Sequence, residues 1–268
     1  MKLDWPPPHF LVRWGRQARA AWLSWWHVIL IGAEILWLAA LPSSYRRGPQ
    51  RTAVLTHLVQ ATLPQVNSFL VLSALVSLVL IRIVVATASS YGLSQYALEV
   101  LVRTLVLELI PLYAAMYVAL RYALPGAQDL RRHLAGQLRE GQEVEHQDLL
   151  RSELLPRALG AGLSVMMLAG LSGVIALVLT YINVYGLSPW GLTDYTRGVG
   201  SVFTPAVSLI FALKTLFFSL AVAIVPFAAS AQRDVQGRFS RRSDISEFAR
   251  LLSVILIVEV ISLVGNYY

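Results

Sequence analysis

The chain has 268 residues, of which 56% are apolar and 14% charged, with a mean hydropathy of +0.61 and a net charge of +7. Soluble domains carry roughly 25% charge, so this composition excludes an ordinary soluble domain and points to an integral membrane protein. The absence of cysteine excludes disulfides, thiolate metal sites and a cysteine nucleophile, and the basic residues lie beside apolar spans, where anionic headgroups rather than nucleic acid are the nearer partner.

The first eight residues, MKLDWPPP, have no apolar core and no small-residue cleavage site, so no cleavable signal is expected. Residues 22–41, WLSWWHVILIGAEILWLAAL, are long enough to cross a bilayer. They are bracketed by Arg13, Arg16 and Arg19 on one side and Arg46, Arg47 and Arg51 on the other, and a crossing would put one cluster outside. His27, Glu34 and the tryptophans Trp22, Trp25 and Trp26 suit a helix that lies in the inner interface or enters and leaves by one face.

Five membrane-spanning helices follow, at about 62–87, 96–120, 158–183, 203–229 and 248–266, because backbone polar groups in hydrocarbon must be satisfied within the segment. Eighteen of the 22 Lys and Arg residues fall in the blocks 1–60, 121–157 and 229–250, which the positive-inside rule places in the cytoplasm. The N-terminus is then cytoplasmic and the C-terminus periplasmic. Tyr91, Tyr96, Tyr181, Tyr185, Trp190, Tyr267 and Tyr268 cluster at the outer interface as an aromatic belt. The polar excursion from Gln128 to Glu153 is too short for a separate domain, so residues 1–268 read as one transmembrane unit.

Catalytic motifs are missing. Lys214-Thr215 lacks the glycines a P-loop needs to cradle phosphate, and Glu143, Glu145, His146 and Asp148 lack a second histidine at helical spacing, reading as a solvated helix face. Gly160-Ala-Gly162 and Gly170-Leu-Ser-Gly173 fit close helix packing. What stands out is charge within the spans, where each residue costs about 2.5–3.5 kcal/mol near mid-bilayer and needs a partner or a wet cavity. Arg82 is close enough to the outer end to snorkel, and Glu99 and Arg103 are spaced to pair on one helix. Glu108, Lys214 and Glu259 fall deeper, at comparable depths on three spans, and read as one network that is either a structural pairing or part of a substrate path.

The stretch Glu108-Leu-Ile-Pro111-Leu-Tyr-Ala114-Ala115-Met-Tyr-Val-Ala119-Leu-Arg121 resembles the ELGPxxAAxxxAGR signature of MlaE/YrbE-type permeases, the membrane subunits of MCE-family lipid ABC transporters. Pro156-Arg157 stands where that family opens its next span, Lys214-Thr215 where it often has Lys-Ser or Lys-Thr, and Glu259 where an acidic residue is common. Departures mark a divergent member. Ile110 and Leu120 replace signature glycines, and the Glu-Gln of the cytoplasmic coupling region falls on Gln137-Leu138, although Asp129 keeps one carboxylate.

The resemblance implies a dimeric permease of the bacterial inner membrane, a homodimer in preference to a heterodimer, holding phospholipid in a cavity between protomers. It implies a cytoplasmic ABC ATPase, which carries the ATP and Mg, and a periplasmic MCE-domain protein that takes the lipid onward. The ATPase would be engaged through Asp129, Arg131, Arg132, Gln137, Arg139 and Glu140. On this reading the chain is no enzyme and holds no metal or cofactor of its own. The alternatives are a non-transporting scaffold or regulatory subunit, one half of a heterodimeric permease, and a membrane-embedded enzyme, for which a converging acid/base set is lacking.

Overall fold

The structure is a computed structural model describing residues 8–42, 48–140, 145–231 and 244–267. Lys2, Arg46, Arg47, Glu143, Arg233, Arg238, Arg241, Arg242 and Tyr268 lie outside the described residues. Among those described there is no strand, as expected of an all-α integral membrane protein. Among the described residues seven helices follow one another: α1 Pro8–Ala40, α2 Gly48–Ser90, α3 running from Ala97 through Arg139, α4 from His146 through Tyr185, α5 Leu192–Val202, α6 Pro205–Ser230 and α7 Asp244–Tyr267. The turns after α2 and α4 each use a glycine in the left-handed region, Gly92 at φ 69° and Gly186 at φ 71°, where a side chain would be strained.

Helix α4 is the centre of the bundle, with α2 along one side and α6 along another, and α6 in turn packs on α7 and α3. Small residues make these approaches possible. A Cβ on Gly160 would come within 2.9 Å of the His57 backbone on α2, and one on Gly162 within 3.0 Å of Ser219 Oγ on α6. Two residues apart on a helix point to nearly opposite sides, so the Gly-Ala-Gly triplet serves both neighbours at once. Ser164 adds a hydrogen bond to the Ala61 carbonyl at 3.0 Å. Gly170 has nothing within 4 Å and Gly173 only Val106 at 3.9 Å, so the close packing expected of the second pair is absent among the described residues.

Three wide, π-helical turns interrupt α3 and α4, at Val102–Leu109, Ala119–Ala123 and Leu149–Leu154. Each ends two residues before a proline: Pro111, Pro125 and Pro156. A proline in a helix has no N–H to give, and its ring collides with the carbonyl four residues back. In all three cases the preceding residue reaches one residue further than an α-helix allows, Ile110 to Leu105, Leu124 to Ala119 and Leu155 to Leu150. The extra residue relieves the collision and widens the turn. Pro64 and Pro226 sit inside helices without such a turn.

By length and composition six helices could cross a membrane, α1 among them through Trp22–Ala40. Contacts set α1 apart from the other five. It is unbroken, with no reversal that would let it enter and leave by one face. From Ser24 to Glu34, about 15 Å of axis, most of its partners lie at the basic end of the bundle, with Gly32 against Ile224 one turn further into α6. Arg250 near the start of α7 bonds Ser24 and covers the Trp25 ring, Ala228 and Ala229 at the end of α6 pack on Val28, and His146 at the start of α4 meets Glu34. Helix α1 thus packs against the ends of α4, α6 and α7.

Candidate functional site: a buried ion cluster and a second charge pair

Lys214 on α6 is the centre of the site. Its side chain is 1% exposed. It donates to Glu108 on α3 and lies 2.8 Å from Glu259 Oε2 on α7, with the ring of Phe218 5.7 Å away. The three charges predicted at similar depth are therefore one cluster. Glu108 belongs to the wide turn just ahead of Pro111, so the acid and the proline that distorts its helix act together. Buried charges in this arrangement hold three helices in register, because removing one partner leaves the others desolvated without compensation.

A family model described as Permease MlaE matches residues 54–263 of the chain. The chain belongs to the MlaE permease family. No curated protein is matched.

The remaining signature residues of this MlaE-family chain fall into distinct places. Pro111, Ala115 and Pro156 are buried in the bundle, whereas Arg121 is exposed within the second wide turn. Arg157 bonds Glu153 at 2.6 Å and reaches the Gly126 carbonyl at 3.5 Å, tying the start of α4 to α3. Glu99 and Arg103 pair at 3.1 Å, and Arg82 is exposed on α2.

The polar end of α3, Leu124–Arg139, is amphipathic. Ala127, Leu130 and Leu134 are buried in the core, while Asp129, Arg132 and His133 are exposed. Asp129 and Arg132 meet at 3.4 Å in full view of solvent, a pairing of little energetic consequence. Gln137 contacts His133 at 3.2 Å, Glu140 is exposed, and the Arg139 side chain lies outside the described residues. Arg131 turns the opposite way. It bonds Glu247 of α7 at 2.6 Å, and the Glu247 side chain is 2% exposed.

Sequence reasoning missed Glu247, although its signal is visible in retrospect. Glu247, Leu251, Ile255 and Glu259 recur every four residues on α7, and the first three are fully or nearly fully buried. The stripe carries an acid at each end, about 18 Å apart along the axis. One acid meets the cation of α6 and the other the cation of α3.

At the opposite end α5 is held down by tyrosines. Tyr195 donates to the Leu177 carbonyl at 2.8 Å and stacks edge-on against Tyr181 and Tyr185, while Tyr181 bonds the Ser188 carbonyl. Burial first, and then neighbouring Tyr185, pushes the Tyr195 phenol up to about 12. Of the aromatic belt, Tyr91, Tyr96 and Trp190 are exposed, whereas Tyr181 and Tyr185 belong to this packed cluster.

Proposed function

We propose that the chain is the permease subunit of an ABC-type lipid transporter, moving phospholipid between the bacterial inner membrane and a periplasmic MCE-domain carrier. The observation that carries this reading is the Glu108–Lys214–Glu259 cluster inside a bundle of the MlaE permease family. The signature acid of the second span is joined to charges of two further spans, so movement of any one helix is felt by the other two. The basic end is the cytoplasmic one by the positive-inside rule. There the exposed face of Leu124–Arg139, with Asp129 and Arg132, receives a cytoplasmic ATPase that binds the ATP and Mg. The Arg131–Glu247 pair passes the resulting displacement to α7, and α7 carries it to Glu259. Two copies of the chain enclose the lipid, and no bond in the lipid is broken.

The test is to purify the tagged chain from its native membrane and reconstitute what accompanies it. Stoichiometric ABC ATPase and MCE-domain protein, with ATP-dependent transfer of a fluorescent phospholipid that Lys214→Met abolishes, is the expected result. A chain recovered without an ATPase would overturn the reading in favour of a scaffold, and a second, different permease chain would replace the homodimer by a heterodimer.

A further inference from the structure

Helix α1 and the start of α4 border an open groove of about 650 Å³ at the basic end, lined by Leu30, Trp37, Leu38 and Leu150. Its rim is polar. Glu34 and His146 meet there at 2.8 Å, both half-exposed, and Arg151 stands one turn beyond His146. The Arg151 side chain is half-buried, and no hydrogen bond or ion pair ties it to another described residue. A partly desolvated guanidinium beside apolar walls is poorly satisfied unless an anion meets it.

The surroundings decide what that anion belongs to. Helix α1 is apolar on its inner face, through Val28 and Ile35, and on its outer face, where Trp22, Trp26, Ile29, Leu36 and Trp37 are exposed. A helix apolar on both sides is immersed in lipid on the side the protein does not cover. The groove therefore opens to the membrane at headgroup level. Its walls fit an acyl chain, its guanidinium fits a phosphate, and its carboxylate, with one oxygen already on His146, has acceptor positions left for a primary ammonium. The volume lies within the range of ordinary ligand sites.

We propose that this groove binds one aminophospholipid of the basic-end leaflet, with the phosphate on Arg151, the ammonium on Glu34 and a chain against Trp37. Such a lipid would fasten α1 to α4 at the level where α1 crosses the bundle. The site depends on the membrane placement of α1 and not on transport, so it stands or falls separately from lipid transfer by the assembled transporter.

Trp37 supplies the reporter. The full-length protein is placed in vesicles of phosphatidylcholine containing a minority of acyl-brominated phosphatidylethanolamine or, in parallel, acyl-brominated phosphatidylcholine. Subtracting the quenching of a Trp37→Phe protein isolates the signal at the groove. The two lipids share a phosphate and differ in whether the ammonium can donate to Glu34. The expected result is about two- to five-fold stronger quenching of Trp37 by the brominated phosphatidylethanolamine, the preference a partly exposed ion pair supports. Glu34→Gln should abolish that preference, and Arg151→Gln should reduce quenching by both lipids, with Arg151→Lys restoring most of it. Equal quenching by the two lipids in the wild-type protein overturns the proposal without recourse to any variant at the rim. So does a preference that survives both Glu34→Gln and Arg151→Gln.

Discussion

Replacing Lys214 by methionine removes the single cation from a cluster of two carboxylates, and the order of effects among the cluster variants follows from charge alone. With Lys214 gone, Glu108 and Glu259 face each other with side chains 9% and 14% exposed and without the ammonium that lies between them. Breaking a buried ion pair from one side costs about 3–5 kcal/mol, so Lys214→Met should be the most damaging single change. Glu108→Gln leaves a balanced Lys214–Glu259 pair and loses one charge-assisted hydrogen bond, about 1.5–3 kcal/mol. In the double variant Glu259 is the one remaining charge, so the double should be more stable than Lys214→Met alone. The triple variant with Glu259→Gln buries no ion and should recover most of the loss. Stability is measured by denaturant titration of purified protein in bicelles, and transport in the reconstituted complex. If the Glu108→Gln and Lys214→Met effects simply add, the residues are uncoupled and the network is refuted. Coupling that appears in transport at unchanged stability would place the cluster on the lipid route.

Arg131→Met should destabilise the fold by about 3 kcal/mol through loss of its pair with the buried Glu247, with Glu247→Leu in the same chain recovering part of it, whereas Arg132→Glu should leave stability within about 0.5 kcal/mol and weaken ATPase pull-down. Equal effects of the two arginine changes on stability would contradict the opposite facing of their side chains. Gly160→Ala forces a Cβ to 2.9 Å from the His57 backbone and should cost about 1–3 kcal/mol, while Gly170→Ala meets open space and should gain up to about 1 kcal/mol of helix stability, both read from the same denaturant titration. Tyr195 is neutral in the folded protein up to about pH 12 and ionises near pH 10 when released, so its contribution is intact below pH 10 and is lost as pH rises toward 12. Wild type should therefore lose more stability than Tyr195→Phe over that interval in an alkaline titration, and parallel curves would show that the buried phenol is not what couples α5 to pH.

Fold class and the depth of the charged residues were legible from the chain, because both depend on one-dimensional quantities. A span needs about 20 apolar residues wherever its neighbours lie, and an ion in hydrocarbon demands a partner before one knows which helix supplies it. That is why Glu108, Lys214 and Glu259 were recognisable as a set. Direction around a helix was not. Arg131 and Arg132 are adjacent and chemically alike, yet one is buried against Glu247 and the other is in solvent, since neighbouring residues differ by about 100° and the facing element decides which is covered. The glycines show the same limit: Gly160 and Gly170 have equal freedom in sequence, and only the approach of α2 makes the first indispensable. The wide turns ahead of Pro111, Pro125 and Pro156 also needed three dimensions, because a proline announces a disturbed helix but the surrounding packing determines whether the chain kinks, breaks or takes in one more residue.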